Sequence, residues 1–308
     1  MNLEELVLQY QSDNLAKAEF IKLMHTHHRI LFDYSKLIRD RDIQKIEITD
    51  NGVVMTSRKL GIKIICDEQD YRIAPIEILN FREYEKQDSD MIFRLVNDKN
   101  TLLDIGANIG WYSIGLSKAK NNLNIHAFEP IPKTYEYLVA NVRLNGLTNI
   151  HIYKHGLSNE TSEVPFYYYP EGSGNASMSN LTANMNSVEI RLQVMPLDFF
   201  VKKHGINKVD FIKCDVEGAE LLVFQGGRDT IQRDKPIVFS EILRKWSAKF
   251  DYHPNDIINF FTDLGYGCFI VKEKKLSRFL KVDENTIETN YFFLHEGVHK
   301  QVIESNLI

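Results

Sequence analysis

The sequence predicts an α/β protein with a mostly parallel central sheet. From Thr101 onward, apolar runs typical of buried strands alternate with longer segments of helical periodicity, giving about seven strands. A glycine-rich turn, GANIGW at residues 106–111, joins the first of these strands to a helix. Because parallel strands are connected by crossover helices, this alternation predicts βαβ units.

Length, composition and charge restrict the class of protein. The 308 residues suffice for one large or two small domains, and 44% hydrophobic with 26% charged residues is ordinary for a soluble globular protein. No apolar run reaches the roughly 18 to 20 residues of a membrane-spanning helix, and the acidic start MNLEELVLQYQSDN is unlike a signal peptide. The three cysteines are too few and scattered for a disulfide framework. We therefore expect a cytoplasmic protein with no integral membrane segment. A net charge of -5 gives it no electrostatic reason to bind nucleic acid.

Residues 1–75 are expected to form an N-terminal accessory region. Its first part, through about residue 40, has apolar residues at helical spacing, and short β-rich runs over 43–66 predict a hairpin or small meander. The nearby His25, His27 and His28 have no cysteine or carboxylate beside them at ligand spacing. We expect these histidines to be exposed helix residues, and we predict no metal site.

The segment LLDIGANIGWYS places Asp104, Gly106 and Gly110 between a strand and a helix. Gly106 would allow a sharp turn at the strand end, and Gly110 would let a ligand approach the helix N-terminus. The next strand ends in AFEP, where Glu129 could accept hydrogen bonds from both hydroxyls of a ribose. The order strand, glycine turn, helix, strand and acid predicts a nucleoside-binding site.

Missing motifs narrow the identity of the nucleoside. NAD-linked enzymes prefer GxGxxG where this chain has GANIGW, and the GxxxxGK[ST] segment of P-loop NTPases is not present. An acid ahead of the glycine turn suits S-adenosylmethionine, whose amino-acid head carries an ammonium group and which has no pyrophosphate. The sequence therefore favours S-adenosylmethionine over NAD as cofactor.

Six segments in this order, LLDIGANIGWYS, AFEP, NGLTNI, GLS, FIKCDVEGAE and FSEI, resemble the FkbM family of S-adenosylmethionine-dependent methyltransferases. The resemblance covers about residues 76–245 and includes an upstream R-x-Y-E element at Arg82, Tyr84 and Glu85. It implies a class I methyltransferase fold over 76–308, with a seven-stranded Rossmann-like sheet, mostly parallel, whose last strand is antiparallel. It also implies O-methylation of a small-molecule or glycan acceptor: a sugar, a glycolipid or polysaccharide precursor, or a natural product.

The resemblance also implies a set of cofactor contacts. The methionine end would lie along the glycine turn, Asn108 would contribute backbone groups, and Leu157 would contact the adenine after the third strand. The predicted cofactor-binding residues are Glu85, Asp104, Gly106, Ala107, Asn108, Gly110, Glu129, Pro130, Leu157 and Asp215.

Three carboxylates, Asp215, Glu217 and Glu241, are the candidate catalytic residues. Asp215 and Glu241 end neighbouring strands in the usual sheet order, so they could face one cleft. Glu217 could equally cap the following helix, and Glu220 is expected to be structural. Either Asp215 acts as general base, or Asp215 and Glu241 together hold Mg²⁺. The lack of a clear third ligand favours the base.

Two other classes of protein remain as alternatives, and oligomeric state is left open. A catalytically inactive methyltransferase-like binding protein is disfavoured because the predicted site carboxylates are intact, and an NAD-binding oxidoreductase because GxGxxG is missing. The polar segment 171–187, rich in Gly, Ser and Asn, is expected to be a mobile lid over the acceptor site.

Overall fold

The computed structural model describes residues 1–50, 52–180 and 187–308. Its helices are α1 Leu3–Gln11, α2 Lys17–Leu37, α3 Ala74–Phe81, α4 Lys86–Leu95, α5 Trp111–Ala119, α6 Pro132–Leu144, α7 Leu197–Lys203, α8 Glu220–Gly226, α9 Arg228–Asp234, α10 Arg244–Ser247, α11 Pro254–Asp263 and α12 Lys300–Asn306. Its strands are β1 Ile43–Thr49, β2 Gly52–Ser57, β3 Lys63–Cys66, β4 Thr101–Ile105, β5 Asn124–Phe128, β6 Ile150–Tyr153, β7 Gly156–Ser158, β8 Ser162–Tyr168, β9 Val188–Pro196, β10 Phe211–Cys214, β11 Ile237–Glu241, β12 Tyr266–Lys272, β13 Lys275–Arg278 and β14 Asn290–His295.

The central sheet has the strand order β13-β12-β14-β11-β10-β4-β5-β6. Strands β11, β10, β4, β5 and β6 pair in parallel, and β14 runs antiparallel between β11 and β12. The predicted class I methyltransferase sheet, with its last strand antiparallel, is confirmed. One strand was not predicted: β13 forms a hairpin with β12 and adds an eighth, edge strand.

The register of β4, β10 and β11 determines where the site lies. Cys214 at the end of β10 pairs with Ile105 on one side and with Ser240 on the other. The backbone N–H of Asp215 continues this ladder by donating to the carbonyl of Ile105 at 3.0 Å. Because all three strands end at the same edge of the sheet, the residues that follow them are brought together there.

Hydrophobic cores cover both faces of the sheet. Successive strand residues point to opposite faces, so Leu102 lies in one core and Leu103 in the other, and Phe292 and Phe293 divide in the same way. Helices α4, α5 and α6 contribute to the first core, and α7, α8 and α11 to the second. This double coverage explains why the strands are continuous apolar runs in the sequence.

A smaller three-stranded sheet has the strand order β7-β9-β8. It encloses a satellite core formed by Ile131, Phe166, Tyr168 and Val194. The segment predicted to be a lid starts where β8 ends. Its residues 171–180 are described by the structure, whereas 181–186 lie outside the described residues.

The N-terminal region contains the helical hairpin α1–α2 and a three-stranded antiparallel meander, β1-β2-β3. The predicted small meander is therefore present. It packs on the main domain: Ile64 is part of the core beneath α4 to α6, and the side chain of Asn141 on α6 accepts from the N–H of Ile65 at 2.8 Å. The boundary near residue 75 stays a prediction. None of the helices in the described ranges is long and apolar enough to span a membrane.

Candidate functional site

A cleft of about 500 Å³ opens at the carboxyl edge of the central sheet. Its wall combines residues that follow β4, β5, β10 and β11 with the segment that leads into α3 and α4. Its described charged residues are acidic in excess: Glu77, Glu83, Glu85, Glu129, Asp215, Glu217 and Glu241 against Arg72, Lys213 and Lys245. Aromatic side chains, Phe81, Tyr84, Trp111, Tyr112, Phe166 and Trp246, form much of the remaining wall.

The two glycines of the β4–α5 turn have different structural roles. Gly106 has φ +77°, and a Cβ there would overlap the backbone carbonyl of Asp215, so the turn touches the loop after β10 directly. Gly110 has φ +92°, and its Cβ would lie 2.6 Å from a methyl group of Leu138 on α6. Gly110 is not among the described residues that line the cleft. It permits close helix packing there, and the expectation that it lets a ligand approach is not supported.

Glu129 lies buried at the end of β5, facing the cleft as predicted. One carboxylate oxygen accepts from the N–H of Asn108 at 3.0 Å, and the other accepts from the N–H of Ile131 at 2.9 Å. Burial raises the pKa of Glu129 to about 7, although these two hydrogen bonds oppose the rise. Since each carboxylate oxygen can accept more than one hydrogen bond, both retain capacity for a ligand hydroxyl.

Lys213, in the centre of β10, is the site residue that the sequence reasoning missed. It is 4% exposed, and its Nζ lies 3.6 Å from Asp104, 3.3 Å from Asp215 and 3.3 Å from the carbonyl oxygen of Gly106. Burial alone would lower the pKa of Lys213, but the nearby carboxylates raise it above its usual range. A lysine inside the apolar run FIKC was the available signal, because a buried charge in a central strand requires partners.

Asp104 is fully buried beneath the cleft. Its Oδ2 accepts from the hydroxyl of Ser113 on α5 at 2.6 Å, while its Oδ1 faces Lys213. Asp104 therefore anchors the lysine and the start of α5, and the described cleft wall does not include it.

Glu85 enters the cleft from the turn before α4, with φ +40°. Its carboxylate accepts from the hydroxyl of Tyr112 at 2.5 Å. Burial raises the pKa of Glu85 to about 7, and the charge of Asp215 contributes to the rise. Tyr84 of the same R-x-Y-E element also lines the cleft, whereas Arg82 points away and pairs with Asp40 at 3.3 Å.

The three candidate catalytic carboxylates, Asp215, Glu217 and Glu241, line one part of the cleft. Burial, followed by the charge of Asp215, raises the pKa of Glu241 to about 9. The same causes raise the pKa of Glu217 well above its usual range. Glu217 has φ +55°, and its Oε2 is buried with no hydrogen-bond partner among the described residues. Asp215 forms an ion pair with Lys213 at 3.3 Å.

Glu220, rather than Glu217, organises the loop before α8. Its Oε1 accepts from the N–H groups of Val216 at 3.2 Å and Gly218 at 3.0 Å, and its Oε2 accepts from the hydroxyl of Tyr252 at 3.1 Å. No side-chain hydrogen bond from Glu217 caps α8. The structure thus gives Glu220 the structural role expected for it and leaves the side chain of Glu217 facing the cleft.

Most of the predicted cofactor residues meet in this cleft, including Ala107, Asn108 and Pro130. Leu157 does not. It lies in β7, which belongs to the smaller sheet, and is buried against Met195 and other apolar side chains of the second core. Phe166 and Ile131 line the cleft beside Glu129 instead. The described residues include no group of three or more His, Cys, Asp or Glu side chains arranged to hold a metal ion.

The described part of the predicted lid segment, residues 171–180, contributes to the wall of the cleft. The N–H of Ser173 donates to Asp70 at 2.9 Å, and the hydroxyl of Ser177 donates to the carbonyl of Glu217 at 2.7 Å. Gly174 and Ala176 line the cleft. The contact with Glu217 joins the segment to the loop after β10, and its mobility stays a prediction.

A sheet of this order with a cleft at its carboxyl edge defines a class I methyltransferase. Comparison with known families makes this more specific: the model described as "Methyltransferase FkbM domain" matches residues 104–268, which is more than half of the chain. The chain belongs to the FkbM methyltransferase family. This membership confirms the resemblance and does not support the NAD-binding alternative.

Individual relatives are distant. Methyltransferase 1 of Beauveria bassiana is 26% identical over 207 residues, which are 60% of this chain and 75% of that protein. Hexuronic acid methyltransferase AglP of Haloferax volcanii is 26% identical over 142 residues, 46% of this chain and 56% of that protein. A solved structure, methyltransferase FkbM from Methylobacillus flagellatus, is 20% identical with a TM-score of 0.43, covering 64% of this chain and 44% of that one.

Proposed function

We propose that this protein is an O-methyltransferase that uses S-adenosylmethionine to methylate a hydroxyl of a sugar-containing or natural-product acceptor. One observation carries the proposal: three carboxylates line the same cleft. Glu129 can accept hydrogen bonds from ribose hydroxyls, and Asp215 and Glu241 can act on the hydroxyl to be methylated. The relative AglP is a hexuronic acid methyltransferase, which supports a sugar acceptor for this chain.

The residues present suit S-adenosylmethionine. Glu129 has acceptor capacity for two ribose hydroxyls, and Ile131 and Phe166 offer apolar surface beside it for an adenine ring. When bound, the cofactor would supply an electrophilic methyl group on a positively charged sulfur. The excess of acidic side chains around the cleft, among them Glu85 and Asp215, gives the negative potential that favours a cationic ligand.

The structure changes which carboxylate we propose as the base. Asp215, favoured on sequence grounds, is held in an ion pair with the buried ammonium of Lys213 at 3.3 Å, which fixes its position. Glu241 forms no ion pair with a lysine among the described residues, and burial raises its pKa to about 9. In its ionised form Glu241 accepts the proton of the acceptor hydroxyl, so turnover should increase as the pH rises towards about 9, and Asp215 orients that hydroxyl.

Beyond Glu241 the wall is suited to an acceptor ring. Trp246 and Trp111 line the cleft, and the ammonium of Lys245 lies over the Trp246 ring, 4.1 Å from its centre. A pocket of aromatic walls with a few directed polar groups is the usual form of a site for a small organic molecule. We therefore place the acceptor between Trp246 and Glu241.

Calorimetric titration tests the cofactor assignment. S-adenosylmethionine and its demethylated product should bind the wild-type protein, and NAD should not. Glu129→Gln should weaken this binding, whereas Glu136→Gln, an exposed position on α6, should not. Binding of NAD with none of S-adenosylmethionine would overturn the proposal.

A methyl-transfer assay against sugar nucleotides, glycolipid fragments and hydroxylated natural products then tests catalysis. Transfer to one of these acceptors, retained in the presence of EDTA, supports the direct base. Activity that is abolished by EDTA and restored by Mg²⁺ would mean that Asp215 and Glu241 bind the metal ion and do not act directly on the hydroxyl. Cofactor binding without transfer to any acceptor would favour the inactive binding protein.

A further inference from the structure

Asp70 is a buried carboxylate that the roles proposed above leave unused. It lies between β3 and α3, is 3% exposed, and is not itself part of the described cleft wall. It also lies outside residues 104–268, which match the FkbM family. Burying a carboxylate is costly unless hydrogen bonds compensate for the lost water, so the partners of Asp70 indicate what it stabilises.

Each oxygen of this carboxylate holds a different stretch of the cleft wall. Oδ1 accepts from the N–H of Arg72 at 2.9 Å, and Oδ2 accepts from the N–H of Ser173 at 2.9 Å. Both Arg72 and Ser173 line the cleft. Beside them, the N–H of Tyr71 donates to the carbonyl of Glu171 at 3.3 Å. Asp70 therefore joins two parts of the wall that are 103 residues apart in the sequence.

Ser173 connects this junction to the predicted ribose-binding carboxylate. Its hydroxyl donates to Oδ1 of Asn108 at 3.3 Å, and the backbone N–H of Asn108 donates to Glu129 at 3.0 Å. Asn108 has φ +50°, in the left-handed region, which asparagine adopts more readily than most residues because its side chain forms local hydrogen bonds. A continuous set of hydrogen bonds thus runs from Asp70 through Ser173 and Asn108 to Glu129.

We propose that Asp70 is a positioning residue for S-adenosylmethionine, which fixes Ser173 and, through it, the contact between Asn108 and Glu129. The predicted accessory region 1–75 then contributes to the cofactor site. This inference rests on the proposed function, in particular on ribose binding by Glu129. A wall that is fixed before the ligand arrives lowers the ordering cost of binding, so the loss of Asp70 should weaken cofactor binding.

Asp70→Asn tests the proposal because it keeps the shape of the side chain and replaces one acceptor oxygen with a donor that faces an N–H group. Asp67→Asn is the matched control in the same segment. Asp67 also accepts from the N–H two residues further on, that of Gln69, at 3.1 Å, and it pairs with Lys133. Neither of these partners is part of the described cleft wall.

Calorimetric titration of the full chain with S-adenosylmethionine separates positioning from loss of folding. Asp70→Asn should raise the dissociation constant on the order of 10-fold or more at unchanged stoichiometry, and Asp67→Asn should change it less than about twofold. A variant that only destabilised the fold would lower the fitted stoichiometry and leave the constant unchanged. Ser173→Ala removes the hydroxyl contact with Asn108 and should also weaken binding, with an effect that does not add fully to that of Asp70→Asn.

Hydrogen exchange on the ligand-free protein tests the same contacts without the cofactor. The amide of Ser173 should exchange faster in Asp70→Asn than in the wild type, and at the wild-type rate in Asp67→Asn. Unchanged exchange in Asp70→Asn would overturn the inference. Ser173→Ala that binds as tightly as the wild type would also overturn it, whether or not Asp70→Asn folds.

The wild type distinguishes this inference from the proposed function. A wild type that binds no S-adenosylmethionine would overturn both. Binding that is equally tight in the wild type, Asp70→Asn and Asp67→Asn would overturn the inference alone and leave the proposed function standing.

Discussion

Replacing Lys213 by methionine should be strongly destabilising, although methionine has a similar length and apolar stem. The ammonium of Lys213 lies between Asp104 and Asp215 in a strand that is covered on both faces. Asp104 Oδ1 is buried and has no other hydrogen-bond partner among the described residues. Lys213→Met therefore leaves two carboxylates at the sheet edge without their cation.

The expected loss follows from the burial of the pair. Breaking a buried ion pair by removing one partner costs about 3–5 kcal/mol, because the remaining charge stays desolvated. The chain contains a matched surface pair with the same sequence spacing: Lys208 and Asp210, 2.6 Å apart, with the lysine side chain 65% exposed. Removing a partner from an exposed pair costs about 0–1 kcal/mol. Lys208→Met is therefore the control.

Urea unfolding followed by circular dichroism, at pH 7 and without ligand, measures both variants. Because neighbouring carboxylates raise the pKa of Lys213, its ammonium is fully present at this pH, and its stabilising effect is lost only as the pH rises above its unfolded-state value of about 10.5. Equal losses for Lys213→Met and Lys208→Met would refute the assignment of a buried cation to this position. The double variant Lys213→Met/Asp215→Asn should recover part of the lost stability.

Three further outcomes are expected. Glu129→Ala should weaken S-adenosylmethionine binding by about 1.5–3 kcal/mol for each hydroxyl hydrogen bond lost, as measured by calorimetry, and an unchanged dissociation constant would contradict the ribose assignment. Glu241→Gln should lower kcat at least about 100-fold with little change in cofactor affinity, and a fully active variant would remove Glu241 as base. The free energy of unfolding of the ligand-free protein should fall between about pH 4.5 and pH 7, because burial raises the pKa of Glu85 and Glu129 to about 7. Each carboxyl must then ionise in the folded state at a cost of up to about 3 kcal/mol. A free energy of unfolding that rises over this interval would contradict the burial of these carboxylates.

The parts of the site that the sequence predicted are those determined within a single strand and the turn after it. Gly106 and Glu129 line the cleft, and both follow from the alternation of apolar runs and glycine turns, whereas Asp104 from the same turn lies beneath the cleft. Lys213 could not be assigned, because its partners depend on the pairing of β10 with β4. Its presence in an apolar run indicated a buried charge but did not show which residues pair with it.

Two residues predicted to bind the cofactor, Gly110 and Leu157, lie outside the described wall of the cleft because of contacts between elements that are distant in the sequence. Gly110 was interpreted as a ligand-approach residue, but the constraint on it comes from Leu138 across the α5–α6 packing. Leu157 was expected at the adenine, but β7 leaves the main sheet to pair with β9, which buries the residue elsewhere.

The contact of Gly106 with the carbonyl of Asp215 has a consequence for how this enzyme can diversify. A side chain at position 106 would displace the loop that carries Asp215 and Glu217, so the β4–α5 turn and the loop after β10 cannot be altered one at a time. Under the proposed function, we expect changes in acceptor preference to arise at the rim of the cleft, where Phe81 is 70% exposed and Trp246 is part of the wall. Libraries for new acceptors should randomise that rim and keep the inner loops fixed.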